Sequence, residues 1–345
     1  MELLFTGIGG IILPVIIRKK IKNRRKVKTM QNVNVVSPEK APTLHKRSLW
    51  RKMMLNWEFY IFVLPLVVYF FVFRYMPMGG IVIAFRDFKI NKGIWSGDWV
   101  GFKYFQRFFK SYYCEIVIKN TLSITLLSLV LGFPVPIILA LLLDEVSPRL
   151  KKTVQTITFA PHFISTVVIC GILLIMLSPS SGIFNHIIAA LGGERRNFMQ
   201  EPGAFKWVYI LSGIWQEMGW NSIIYVAALS SISSDQLEAA RIDGASRFQQ
   251  VLHIKIPALM PTIVTLLILQ FGNLMSIGTD KTLLLQNDAN LSASEVISTY
   301  VYKTGLIQMN YSLSAAIGLF NSVINSILLV TVNWISKKLS DTSLW

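Results

Sequence analysis

Long apolar runs dominate this chain. A bilayer core of about 30 Å takes roughly 20 apolar residues of helix to cross, and six segments meet that length: 57–78, 121–143, 157–177, 207–232, 259–277 and 313–335. The expectation is an all-α, polytopic membrane protein with six transmembrane helices. Pro65, Pro134, Pro136 and Pro261 fall inside or at the ends of these runs; membrane helices tolerate them because neighbouring groups re-satisfy the freed backbone. The opening stretch 3–17 is also apolar, but at about 1.5 Å per residue it reaches only some 22 Å. Its positive charges, Arg18, Lys19 and Lys20, follow the apolar core instead of preceding it, the wrong order for a signal peptide. It reads as an interfacial or poorly ordered extension, with true starts at Met30 or Met53 as the alternatives.

Between the fourth and fifth runs lies DQLEAARIDGASRFQQVLHIKIPALMP, residues 235–261, too polar for membrane and too patterned for a slack loop. It predicts two short helices. Asp235 followed by Glu238 is spaced as a capping box. Leu237, Ala239, Ala240 and Ile242 supply a small apolar turn, which Asp243 and Gly244 interrupt, because glycine readily takes a left-handed conformation. A second helix over 246–254 then runs to Pro257, where the next span begins. The product is a compact knob whose small residues allow close approach by another protein. A capped helix-turn-helix with no docking role is the plainer alternative.

Composition agrees with a membrane protein: 53% of the 345 residues are hydrophobic and 15% charged, with a mean hydropathy of +0.51. The net charge of +16 is misleading, because residues 1–52 hold 13 basic and 2 acidic side chains. With little charge left for the rest, no nucleic-acid partner is expected. The chain is accordingly divided into a basic N-terminal extension, 1–52, and a six-span domain, 53–345, with the knob at 234–258. Lys46, Arg47, Arg51 and Lys52 directly precede the first run, which by the positive-inside tendency puts both termini in the cytoplasm. The first outer loop carries Arg86, Lys89, Lys92, Lys103, Arg107 and Lys110, and its string VGFKYFQRFFKSYY is amphipathic; a helix lying near the membrane surface is expected. Cys114, Cys170 and four scattered histidines form no disulfide framework and no metal-ligand spacing, so neither metal nor cofactor is assigned. No Gly-Lys pair occurs, hence no phosphate-cradling loop.

The knob resembles the EAA signature of binding-protein-dependent ABC importer permeases: Glu238, Ala239, Ala240, Gly244, Ile254 and Pro257 stand at the signature's spacing, with Ile256 where leucine is usual. The strings MPMGGIVIAFRDF, WVGFKYFQRFF, KNTL, APHFISTVV, EVISTYVYKTGL and NWISKKLSDTSLW, in that order, are similar to the branch that handles complex polysaccharide fragments. This resemblance implies the type I importer permease fold over about residues 55–345. It implies a non-enzymatic transport subunit in a bacterial cell membrane, paired with a second permease, two ATP-binding subunits and an extracytoplasmic solute-binding protein. It assigns Glu238, Ala239, Ala240, Asp243, Gly244, Ala245, Ile254 and Pro257 to ATPase coupling. The substrate would be an oligosaccharide, with uronate-containing fragments such as rhamnogalacturonan in its range.

Ionisable groups inside a membrane are expensive, so Glu217 marks a candidate site. At helical spacing Glu217, Asn221 and Tyr225 share a face, with Trp220 beside it. Such a stripe offers hydrogen bonds for hydroxyls and flat faces for pyranose rings; the alternative is interhelical glue. Gln270 with Asn273, and Asn321 with Asn325, form further polar pairs for which glue is favoured, although Gln270 and Asn273 join the candidate path. Two other classes remain: an ion-coupled secondary transporter with Glu217 as proton carrier, and a membrane-embedded enzyme such as a glycosyltransferase. The first would want internal repeats and the second clustered carboxylates, and neither feature is evident.

Overall fold

A computed structural model describes residues 57–95 and 97–339; the basic extension 1–52, with its apolar stretch 3–17, lies outside the described residues. The chain divides into two compact units, residues 1–69 and 70–345. The described part of the first, residues 57–69, is all but the last residue of α1, Trp57–Phe70, an apolar helix with Pro65 inside it. All regular elements among the described residues are helical, and the lone backbone bridge pairs Arg86 with Trp99. The all-α class follows.

The second unit opens with a π-helical turn, Phe71–Tyr75, a 3-10 segment, Met76–Phe85, and, further on, a short helix, α2, Lys103–Phe109. Next come α3, Tyr112–Gly132, and α4, Pro134–Glu145, consecutive because proline at the start of a helix forfeits only an N–H that would have no partner. After α5, Pro148–Phe159, the backbone tightens to 3-10 over Ala160–Phe163 and restarts as α6, Thr166–Met176. There follow α7, Ile183–Ala190; α8, Pro202–Leu229; α9, Ser234–Ile242; and α10, Arg247–Gln250. A π-helical turn, Val251–Lys255, joins α10 to α11, Ile256–Gly272. The remainder is α12, Thr279–Leu285; α13, Leu291–Ser294; α14, Ile297–Tyr302; and α15, Tyr311–Leu339.

Among the described residues four helical runs are long and apolar enough to cross a membrane, 57–85, 112–145, 247–272 and 311–338, and a bent pair would make a fifth. That pair corrects the expected run at 157–177, which is two helices meeting at 99°. Pro161 donates no backbone hydrogen bond there. Ile164 and Ser165 are extended, and the Ser165 hydroxyl accepts from the Val168 N–H at the start of α6. The expected run at 207–232 is the 28-residue α8, about 42 Å long, but Gln216, Glu217 and Asn221 dilute its apolarity below that of the others. The run at 259–277 ends early: α11 stops at Gly272.

α8 is the central column, packed against α3, α4, α5 and α11. Ala140 of α4, Tyr225 and Leu229 of α8, and Leu259 of α11 form one buried cluster. Gly219 permits the closest crossing, because a Cβ there would overlap the backbone carbonyl of Thr158 on α5. The outer-loop helix is shorter than expected, Lys103–Phe109. Its apolar face, Tyr104 and Phe108, is buried in a protein cluster with Val117, Leu313 and Ile317. Leu126, Val130, Ile138, Leu142, Leu211, Val323, Ile327 and Val330 stay exposed, an apolar exterior suited to lipid and not to water.

Candidate functional site

Inside the second unit α3, α8 and α11 enclose a cavity of about 360 Å³. The bare backbones of Gly132 and Gly213 and the small side chains of Thr125 and Ser128 keep it open. Polar groups reach it from two helices: Glu217, Asn221 and Tyr225 of α8, and Gln270 and Asn273 around the end of α11. Five of the six residues expected on a path are therefore brought together. Trp220 is not: its indole lies parallel to the His162 imidazole, with centroids 4.3 Å apart and planes 4° apart, and Phe163 meets it edge-on. The break between α5 and α6 delivers those two side chains to α8, which is why helical spacing alone misplaces Trp220.

The five polar groups are engaged to different degrees. Glu217 Oε2 lies 3.0 Å from His162 Nδ1, so its carboxylate is already partnered. The Asn273 amide donates to the Leu269 carbonyl at 3.3 Å. The side-chain amides of Asn221 and Gln270 have no hydrogen-bond partner among the described residues, although both are exposed to the cavity. An amide carries two donors and an acceptor with two lone pairs; here they are presented to whatever fills the space. Glue does describe Asn325, which accepts from the Met275 N–H at 2.8 Å and donates to Ser276 at 3.0 Å.

At the C-terminal end of α8 the chain turns into the knob. The expected capping box at Asp235 and Glu238 is displaced: Ser233 is the N-cap, accepting from the Asp235 N–H, and the reciprocal box falls on Ser246 and Gln249. Serine ahead of a helical turn satisfies the orphan donors as well as aspartate does, and Ser233 is already extended. α9 ends as expected at Gly244, with φ +80°. The Ala245 N–H bonds to the Ala240 carbonyl at 2.9 Å and the Gly244 N–H to the Arg241 carbonyl at 3.1 Å, the paired bonds of a Schellman stop. The second helix does not end before Pro257 but continues through the π turn into α11. Glu238, Ala239, Asp243, Gly244 and Pro257 are exposed, while Ala240, Ala245 and Ile254 are half-buried where the two helices meet. Ile242 and Phe248 are 87% and 74% exposed, an apolar pair facing outward.

Sequence reasoning missed one feature of this region. Lys255, 5% exposed, donates to Asp144 at 2.6 Å and also to Glu145. It thereby ties the knob's second helix to the end of α4. Charges at the end of the apolar run LLLDE and inside the signature HIKIP were visible, but nothing in their spacing of more than a hundred residues joined them.

Residues 132–341 match the family described as binding-protein-dependent transport system inner membrane component. The chain is 39% identical over 287 residues to Protein LplB of Bacillus subtilis (strain 168), covering 83% of this chain and 90% of LplB. It is 40% identical over 301 residues to the polygalacturonan/rhamnogalacturonan transport system permease protein YteP of the same organism, covering 87% and 94%. A chain in the crystal structure of a bacterial ABC transporter involved in the import of the acidic polysaccharide alginate superposes with a TM-score of 0.79 at 38% identity, over 85% of this chain and 99% of that one. A chain in the crystal structure of a bacterial alginate ABC transporter in complex with alginate pentasaccharide-bound periplasmic protein superposes equally well, with a TM-score of 0.79 at 37% identity over 86% of this chain and 99% of that one. By family and by fold, this chain belongs to the inner-membrane components of binding-protein-dependent ABC transporters of bacteria, a transport subunit served by a solute-binding protein and not an enzyme.

Proposed function

We propose that the chain is a permease subunit that passes oligosaccharides from a solute-binding protein to the cytoplasm by alternating access, with uronate-bearing polysaccharide fragments as the substrate class. The observation that carries this reading is the cavity between α3, α8 and α11, which the unpartnered amides of Asn221 and Gln270 both line. Sugar hydroxyls both donate and accept, and amides match them. Glu217, Tyr225 and Asn273 complete the path, and Trp220 acts behind it by holding His162 against Glu217. The relatives are permeases of ATP-binding-cassette systems, which gives an ion-coupled carrier at Glu217 no support. The uronate class is supported by the polygalacturonan and alginate systems to which the chain is similar.

In this reading the knob, 234–258, sits against an ATP-hydrolysing partner. Exposed Ile242 and Phe248 make the contact and Glu238, Ala239, Ala240, Asp243, Gly244, Ala245, Ile254 and Pro257 shape the element. The assembly comprises this permease, a second and similar permease, two ATP-binding subunits and the binding protein. Both termini are cytoplasmic, and residues 53–345 form the permease domain behind the basic extension 1–52. The test is uptake of trigalacturonate by the reconstituted assembly. Asn221→Leu and Gln270→Leu should each depress uptake by about 5- to 150-fold, since a hydrogen bond lost from a buried sugar leaves its partner unsatisfied at about 1–3 kcal/mol. Undiminished uptake in both variants would remove the cavity from the path.

A further inference from the structure

α12 follows the fifth span and packs between α6 and α8. It carries Lys281, a lysine 9% exposed. Its ammonium donates to the Tyr209 carbonyl at 3.1 Å and lies 4.8 Å from the centre of the Tyr209 ring. Three donors are available to an ammonium, yet Lys281 forms no ion pair among the described residues, whereas Lys255 and Lys303 each have a carboxylate within 2.6 Å. Burying a cation without a counter-charge is costly.

The surroundings place this charge directly behind the cavity wall. Tyr209, Gly213 and Gly278 all line the cavity, and a Cβ built on Gly213 would stand 3.3 Å from Lys281 Nζ. The ammonium thus stands just behind the wall at Gly213, where there is no side chain to cover it and from which Glu217 is one helical turn along α8. We propose that Lys281 is the subsite for a carboxylate on the transported sugar, the residue that distinguishes acidic oligosaccharides from neutral ones. The proposal rests on the uronate reading given above.

The electrostatics agree. Burial pushes the Lys281 ammonium down to about 8, against smaller upward pulls from the Cys170 thiol of α6 and the Glu217 carboxylate of α8; no ionisable group of α14, which also touches α12, acts on it. A cation so placed is charged at neutral pH and gains most from an anion that arrives with the substrate. Arriving carboxylate replaces lost water, and the charge-assisted hydrogen bond is about twice as strong as a neutral one.

The experiment compares two probes in the complete importer, reconstituted in liposomes with its partner permease, ATPase and binding protein: trigalacturonate and its fully methyl-esterified form. Lys281→Met should lower uptake of the acid roughly tenfold or more and leave uptake of the ester within about twofold, while Lys281→Arg keeps most of the preference for the acid. In the wild type the acid-to-ester ratio should fall as pH rises from 7 to 9, because the sugar carboxylates stay ionised and Lys281 does not. Equal loss of both probes in Lys281→Met, or loss of neither, overturns the Lys281 assignment and leaves the acidic-sugar reading standing. A wild type that takes up the ester alone, or neither probe, overturns that reading and the assignment with it. Should Lys281→Met fail to co-purify with its partners, the wild-type ratio decides: constancy between pH 7 and 9 overturns the assignment.

Discussion

Replacing Gly244 isolates backbone conformation from contact. Its φ of +80° lies in the left-handed region, and a Cβ there would meet nothing within 4 Å, so a substitution has no steric cost inside this chain. What remains is the penalty for an L-residue in that region, roughly 1–2 kcal/mol, or a factor of about 5 to 30 in the equilibrium that keeps the turn closed. At stake are the two bonds that stop α9, from Ala245 to Ala240 and from Gly244 to Arg241. Asparagine tolerates the left-handed region better than alanine, and a β-branched residue tolerates it least. Sugar-stimulated ATP hydrolysis by the reconstituted assembly should therefore decline in the order Gly, Asn, Ala, Val, with Ala reduced by at most about 5- to 30-fold if the turn must be closed to couple. Four equal rates would refute the conformational argument. A decline that follows side-chain volume, with Asn worse than Ala, would refute it differently, by showing that the ATPase surface and not the backbone demands glycine.

Lys255→Met removes the tie between the knob and α4 and leaves Asp144 and Glu145 facing each other; the melting curve of the purified complex should register a loss of about 1.5–3 kcal/mol, and adding Asp144→Asn should recover part of it in a double-mutant cycle. Gly219→Ala should destabilise by about 1–3 kcal/mol, because α5 and α8 must part around the Thr158 carbonyl, whereas Gly203→Ala on the same helix, where a Cβ meets nothing within 4 Å, should be neutral or slightly stabilising in the same melt. Lys281→Met should raise stability at pH 7. The Lys281 pKa falls from 10.5 to about 8 on burial, a desolvation cost of roughly 3 kcal/mol at ~1.4 kcal/mol per pH unit, and methionine avoids it. The unfolded chain holds the extra proton between the two values, so wild-type stability rises with pH through about 8 to 10.5 and the advantage of methionine shrinks there; a variant less stable than wild type at pH 7 would contradict the unpaired-cation description.

The sequence by itself determined the solvent, the class and the knob. Runs of apolar residues long enough for a bilayer leave no soluble alternative, since backbone polar groups in lipid must be satisfied within the helix. Gly244 could be read as a helix stop because left-handed backbone is a local property that the residue type almost dictates. Glu217, Asn221 and Tyr225 could be placed on one face for a similar reason, helical periodicity being local. Tertiary structure decided everything that required two distant segments to meet. Whether a proline breaks a span depends on neighbours that re-satisfy the backbone, and so the 99° bend at 160–165 was not legible from Pro161. That bend carries His162 and Phe163 onto Trp220, which takes the indole away from the cavity. Lys255 found Asp144 and Glu145, and Lys281 came to rest behind Gly213, because helix packing selects partners by shape and desolvation, and those quantities exist only once the helices are side by side.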